Sequence, residues 1–280
     1  MINKHFKTPL KSVYSFFIVI YNKNMNEESK EKLKLLQKIY DESSNIVFFG
    51  GAGVSTESGI PDFRSIDGLY YQQWKYPPET ILSHSFFEEN AQEFYRFYRK
   101  KMIYPEAKPN TTHKILSQME AKGKLKTIVT QNIDGLHQKA GSKNVFELHG
   151  SVLRNYCTKC HKFYSEEKII ESENEENGLP LCDCGGLIKP DVVLYEEGLD
   201  DFVVESAIKA ISKADVLIIG GTSLVVYPAA SFIDYYHGKK LVLINKSETM
   251  ADSRANLVFH ESLGEVLSSL QIQFRSNVEF

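Results

Sequence analysis

The sequence predicts a doubly wound α/β fold, a parallel sheet carrying a smaller lobe, from three observations. Six short, β-branched, apolar runs recur along the 280 residues. Helical patterns lie between most of them, and two stretches break the alternation. Parallel strands need a crossover connection, usually a helix, so strands alternating with helices read as a parallel sheet of Rossmann-like plan. Runs that are apolar throughout belong to strands covered on both faces.

The runs are 45–49, 125–130, 145–148, 216–219, 241–244 and 257–259. Helices are expected over 31–40, 86–102, 111–122, 201–213 and 228–237, where apolar residues return at three- and four-residue spacing. The two interruptions are an aromatic-rich, helical insertion at about 59–109 and a cysteine-bearing insertion at about 151–190. The Rossmann-like part is then about 25–58, 110–150 and 191–280. The acidic tract 171–177 reads as a solvated loop. Residues 1–24 stand apart. Lys4, Lys7 and Lys11 precede an apolar run over 13–21 that is too short to span a bilayer and is followed by no small-residue cleavage site. A poorly ordered extension is expected there, with Met25 as an alternative start.

With 42% hydrophobic and 25% charged residues, the chain has the composition of a globular protein with a packed core. A net charge of −3 provides no basic field for nucleic acid or an anionic membrane, so neither is expected as a partner, and a cytoplasmic location is expected. The four cysteines form two close pairs, Cys157 with Cys160 and Cys182 with Cys184. Paired thiols in a cytosolic chain suggest a tetrahedral Zn²⁺ in a ribbon, and four thiolates leave no open position, so the metal is structural. The one-residue Cys182/Cys184 spacing is tighter than usual, and Gly185-Gly186 can accommodate it. Cys157-Thr158-Lys159-Cys160-His161 also fits haem attachment, but haem would leave Cys182 and Cys184 unexplained and would require export.

The first strand ends in Gly50-Gly51-Ala52-Gly53-Val54-Ser55-Thr56-Glu57-Ser58-Gly59. Glycines after a strand let backbone N–H groups approach a pyrophosphate. The plain dinucleotide fingerprint fails, because Thr56 holds the third glycine position and no acid stands about 20 residues on at a strand end. An ordinary dehydrogenase is thereby disfavoured. The loop continues into Gly59-Ile60-Pro61-Asp62-Phe63-Arg64. Four further strings follow in order: Thr130-Gln131-Asn132-Ile133-Asp134, Glu147-Leu148-His149-Gly150, Gly221-Thr222-Ser223-Leu224 and Ile244-Asn245. This ordered set resembles the sirtuin family, over about residues 28–270. The resemblance implies an enzyme that consumes NAD as a co-substrate to remove acyl groups from lysine side chains, with acetylated-lysine proteins as its substrates.

Each string falls at the carboxyl end of an expected strand, where open α/β sheets bind ligands. His149 follows the third run, and a neutral imidazole there can draw a proton from a ribose hydroxyl as general base. His84, His113, His137, His237 and His260 are expected to be structural histidines satisfied by hydrogen bonds. By resemblance, Asn132 positions the ribose and a water, and Gln131 holds ribose hydroxyls. Ile60, Asp62, Ile133 and Asp134 form a nicotinamide pocket, Phe63 shields the sugar face and Arg64 pairs with phosphate. Ala52, Thr56, Thr222 and Ser223 line the pyrophosphate and the adjoining ribose, Asn245 contacts the adenosine ribose, and Gly53 and Leu263 complete the cofactor set. Thr56 and Ser223 can equally be helix caps, and Asn245 a turn residue. Residues 189–195 resemble the segment that offers its backbone edge to a substrate peptide, with Val192 and Val193 lining the acyl-lysine tunnel and Tyr195 beside them. A simple buried strand explains the same residues.

Three functions compete: NAD-dependent deacetylation, which releases nicotinamide and O-acyl-ADP-ribose; NAD-dependent protein ADP-ribosylation; and a zinc-ribbon binding module. The presence of both Asn132 and His149 favours the first. Relatives that prefer acidic acyl groups resemble one another in a Tyr-x-x-Arg pair. Phe94-Tyr95-Arg96-Phe97-Tyr98-Arg99 lacks it, so acetyl is expected to be preferred over succinyl.

Overall fold

The computed structural model describes residues 27–64, 68–71 and 74–272, and the expected N-terminal extension lies outside them. Among the described residues nine strands form two sheets. The larger has β1 (Ile46–Gly50), β2 (Leu125–Thr130), β3 (Val145–Glu147), β7 (Val216–Gly220), β8 (Lys240–Ile244) and β9 (Leu257–Phe259), in the order β3-β2-β1-β7-β8-β9 and parallel throughout. All six expected runs are its strands. The order reverses between β1 and β7, which creates a crevice at the carboxyl edge.

Helices cover both faces. On one, α1 (Glu27–Glu42), α5 (Thr111–Ala121) and α9 (Leu263–Ser268) pack against Ile46, Phe48, Ile218 and Ile244. On the other, α8 (Asp201–Lys213) and the turns Ala229–Tyr235 cover Val47, Phe49, Leu217 and Leu243. Alternate residues of β1 thus enter different cores, each buried side chain adding roughly 1.5–3 kcal/mol. Helix α8 starts where the Asp200 carboxylate accepts from the Val203 N–H at 2.9 Å.

Two expected helices differ. The segment expected over 86–102 is broken at Asn90 into α3 (His84–Glu89) and α4 (Ala91–Lys101), with Asn90 at φ −136° and ψ 45°. Asparagine leaves helical geometry readily, and the break turns both pieces onto one core. The segment expected over 228–237 is a 3₁₀ run, Ala229–Tyr235. Its bonds tighten to three-residue spacing, as in Ser231 N–H to the Pro228 carbonyl at 3.0 Å, and the Ser231 hydroxyl binds the same carbonyl at 2.7 Å. The acidic tract is also more ordered than expected, with Ser172 fully buried and turns at Ser172–Asn174 and Glu176–Gly178. Ser172 is drawn inward because its hydroxyl accepts from Arg99 at 2.9 Å.

The smaller sheet is antiparallel, β5 (Phe163–Tyr164), β4 (Gly150–Cys157), β6 (Ile188–Val192). It joins the short helices α2 (Pro78–Ile81) and α7 (Glu166–Glu171) with α3 and α4 around a third core that includes Ile81, Phe87, Phe94, Tyr95, Val152 and Leu194. The remaining helix, α6 (Leu136–Lys139), follows the β2 string. Among the described residues no helix is long and apolar enough to cross a membrane.

Candidate functional site

A cavity of about 1330 Å³ opens at the carboxyl edge of the large sheet, between it and the smaller lobe. Every residue expected to bind cofactor or substrate, or to act in catalysis, lines it. Ala52, Gly53, Thr56, Ile60, Asp62, Phe63 and Arg64 follow β1; Gln131, Asn132, Ile133 and Asp134 follow β2; His149 follows β3. Thr222 and Ser223 follow β7, Asn245 follows β8, Leu263 begins α9, and Val192, Val193 and Tyr195 close the far wall.

The glycine-rich loop packs directly on the turn after β7. The Gly53 N–H donates to the Gly221 carbonyl at 2.9 Å, and a Cβ on Gly53 would come within 2.8 Å of the Gly221 Cα. Only glycine fits there. The Thr56 hydroxyl turns back onto the Gly53 carbonyl at 3.0 Å, and the Gln131 amide donates to the Thr222 hydroxyl at 3.1 Å. Asn245 donates to the Ser247 carbonyl at 2.7 Å, a local turn at the cavity rim.

Ser55 was assigned no role from the sequence, although it stands inside the quoted glycine string. It is 1% exposed, its hydroxyl donates to Asp134 Oδ2 at 2.6 Å, and it accepts from Asn132 Nδ2 at 3.0 Å. Burial raises the Asp134 carboxyl, while the Ser55 hydroxyl and the Leu136 N–H oppose that rise. Tyr70 is a second addition. Its hydroxyl lies 2.8 Å from that of Tyr195, its ring meets Phe63 edge-on at 5.8 Å, and Arg64 stacks 5.2 Å over it. No spacing rule pairs residues so far apart in sequence.

His149 is largely buried, and burial lowers its pKa below the usual 6.5, partly offset by the Gln131 carbonyl. The other histidines divide. His84 and His260 reach Glu197 and Asp252, as structural groups do. His113 and His137 are buried face to edge, 4.8 Å apart; His113 Nδ1 is hydrogen-bonded to Asn110 as expected, but among the described residues His113 Nε2 and, contrary to expectation, both His137 nitrogens have no hydrogen-bond partner. Phe48 of β1 lies against the His137 ring, with the ring centroids 6.3 Å apart.

The four cysteine sulfurs lie within 4.8 Å of one another, with 3.4 Å between Cys157 and Cys184 and 3.5 Å between Cys160 and Cys182. Tetrahedral zinc with bonds of roughly 2.3 Å needs thiolates about 3.8 Å apart, so the donor set fits. The tight second pair is accommodated as the glycines suggested. Gly185 takes φ +74°, and a Cβ on Gly186 would stand 2.5 Å from the Cys157 sulfur. The Tyr164 hydroxyl donates to the Cys182 sulfur at 3.1 Å, support outside the ligand shell.

Fold and site together define a protein that seats an extended ligand at the topological switch point of a parallel sheet and carries a four-thiolate ribbon. The Sir2 family model matches residues 51–228. An NAD-dependent protein deacetylase of Clostridium perfringens is 63% identical over 244 residues, 86% of this chain and 98% of that protein. One of Staphylococcus aureus (strain N315) is 42% identical, over 87% of this chain and 100% of that protein. A Sir2 structure with a p53 peptide and NAD+ superposes with a TM-score of 0.75 at 41% identity, covering 84% of this chain and 95% of that chain. The chain belongs to the Sir2 family.

Proposed function

We propose that the protein is an NAD-dependent protein-lysine deacetylase that acts on acetylated-lysine proteins in the cytoplasm, with one structural zinc per chain. The observation that carries this reading is the convergence of His149, Asn132 and the 192–195 edge on one cavity that is also floored by the glycine-rich loop. Bound in this cavity, NAD would supply an activated ribose carbon for the acyl oxygen and nicotinamide as its leaving group. The chain's own residues orient the partners, exclude water and move a proton.

His149 is the general base, presenting Nε2 to a ribose hydroxyl. Asn132, held through Ser55, orients the ribose and a water, and Gln131 holds ribose hydroxyls. Ile60, Asp62, Ile133 and Asp134 receive the carboxamide, with Phe63 over the sugar and Arg64 at phosphate. Ala52, Gly53, Thr56, Thr222, Ser223, Asn245 and Leu263 take the rest of the dinucleotide. Val192, Val193 and Tyr195 hold the acyl-lysine peptide, and Cys157, Cys160, Cys182 and Cys184 hold the zinc. In this reading the chain divides into a Rossmann-like part at about 25–58, 110–150 and 191–280, a helical insertion at about 59–109 and a zinc-ribbon insertion at about 151–190.

Mass spectrometry of an acetylated peptide incubated with the protein tests the reading. Loss of the acetyl group that depends on NAD, with equimolar nicotinamide release, is expected. Gain of ADP-ribose, or an unchanged peptide, overturns it.

A further inference from the structure

His149 sits where three segments are knit together. β3 ends at Glu147, β4 begins at Gly150, and the edge that faces the cavity begins at Val192, the last residue of β6. The chain leaves the large sheet through Gly150 at φ +76°, where a Cβ would overlap the Asp191 carbonyl oxygen at 1.9 Å. The His149 carbonyl accepts from the Val193 N–H at 3.0 Å. Base and acyl-lysine edge are therefore neighbours through backbone.

The ladder that should hold this crossing rigid is interrupted. β4 and β6 pair at Gly150 with Val192 and at Ser151 with Asp191, and pairing resumes only at Asn155 with Pro190. Three residues of β4 thus lie opposite no residue of β6, and Pro190 has no N–H to give. Arg154 stands in that gap. Its Nε donates to Asp191 Oδ2 at 2.7 Å and its Nη1 to Glu147 Oε2 at 2.8 Å. The Glu147 side chain is only 9% exposed, whereas Arg154 and Asp191 are 39% and 43% exposed, so the Glu147 arm of the bridge is the less screened one. Neither carboxylate nor the guanidinium lines the cavity.

We propose that Arg154 is a positioning residue: by bridging Glu147 and Asp191 it fixes the acyl-lysine edge relative to His149 across the break in the ladder. The inference rests on the deacetylase reading above. A planar guanidinium can serve two carboxylates from fixed directions, whereas an ammonium is a single point charge. Misplacement by about 1 Å costs on the order of a hundredfold in rate when reactants must be aligned.

The test is steady-state kinetics of the zinc-loaded protein on an acetylated peptide, with NAD affinity measured separately. Arg154→Met is expected to lower kcat/KM for the peptide at least roughly tenfold, with peptide KM raised and NAD Kd within about twofold of wild type. Arg154→Lys is expected to recover part of the loss. Glu147→Gln added to Arg154→Met is expected to cost little more, because both changes break one unit. Asp191→Asn, which leaves the Glu147 pair in place, is expected to shift KM the same way and reports even where Arg154→Met folds poorly. Peptide kcat/KM within about twofold of wild type in Arg154→Met and Asp191→Asn, whatever their Tm, overturns the clamp alone. A wild-type protein that does not deacetylate overturns the functional reading and the clamp with it.

Discussion

The Nδ1 of His149 lies 3.0 Å from the backbone carbonyl of Gln131. A carbonyl only accepts, so Nδ1 carries the proton and Nε2 presents its lone pair to the cavity. One contact between the β2 and β3 strings selects the tautomer that a base requires.

The same geometry sets a pH dependence. In the proposed role His149 acts when neutral, and burial lowers its pKa below 6.5. Peptide kcat/KM is expected to fall on the acid side with a midpoint below that value and to be flat through neutrality. His149→Ala is expected to abolish turnover with NAD binding retained. A midpoint above 6.5, or activity within tenfold of wild type in the variant, would contradict these roles.

The buried histidine pair governs acid stability. Burial holds His113 at about 4 and His137 at about 3, so both are neutral in the fold. An unfolded chain takes up a proton on each below about 6.5 and thus binds more protons between that pH and the folded values. Stability is complete above about pH 6.5 and falls as pH drops toward 4, at roughly 1.4 kcal/mol per unit for each group. Urea unfolding at pH 7 and pH 5 checks this. His137→Phe is expected to flatten the dependence by about one group, and an unchanged slope would count against it.

One zinc per chain is expected by elemental analysis of freshly reduced protein. Cys157 and Cys182 belong to the core of the smaller lobe, so chelation or Cys182→Ser is expected to expose that lobe to protease before the large sheet. Zinc-free protein with an unchanged digestion pattern would show that the thiol cluster is held by packing alone.

Acetyl peptides are expected to exceed succinyl peptides at least roughly tenfold in kcat/KM, since an unpaired carboxylate in an apolar tunnel loses its hydration. Tyr95 donates to the Ile188 carbonyl, while Arg99 donates to the Ser172 hydroxyl at 2.9 Å and the Gly178 carbonyl at 3.0 Å. Arg96 pairs with Glu93 at 2.6 Å, Tyr98 is fully buried, and none of the four lines the cavity. Equal or better succinyl turnover would place a cation in the tunnel after all.

The sequence by itself determined the six-stranded parallel sheet, because strands buried on both faces, such as Val216–Gly220, must be apolar at every position. It also picked out many of the residues that line the cavity, because each string stands at a strand end and chain direction delivers it to the carboxyl edge. The Asp201–Lys213 helix was legible from its own periodicity, while its Asp200 cap was seen only in the structure. Only the tertiary structure decided the break at Asn90, where two pieces turn onto a shared aromatic core, and the 3₁₀ form of Ala229–Tyr235. It alone brought Ser55 between Asn132 and Asp134, Tyr70 onto Tyr195, and Arg154 between Glu147 and Asp191. Burial and periodicity act on neighbours along the chain and leave a pattern in it. A hydrogen bond between distant segments requires only that folding bring two polar atoms within reach, and it leaves no such pattern.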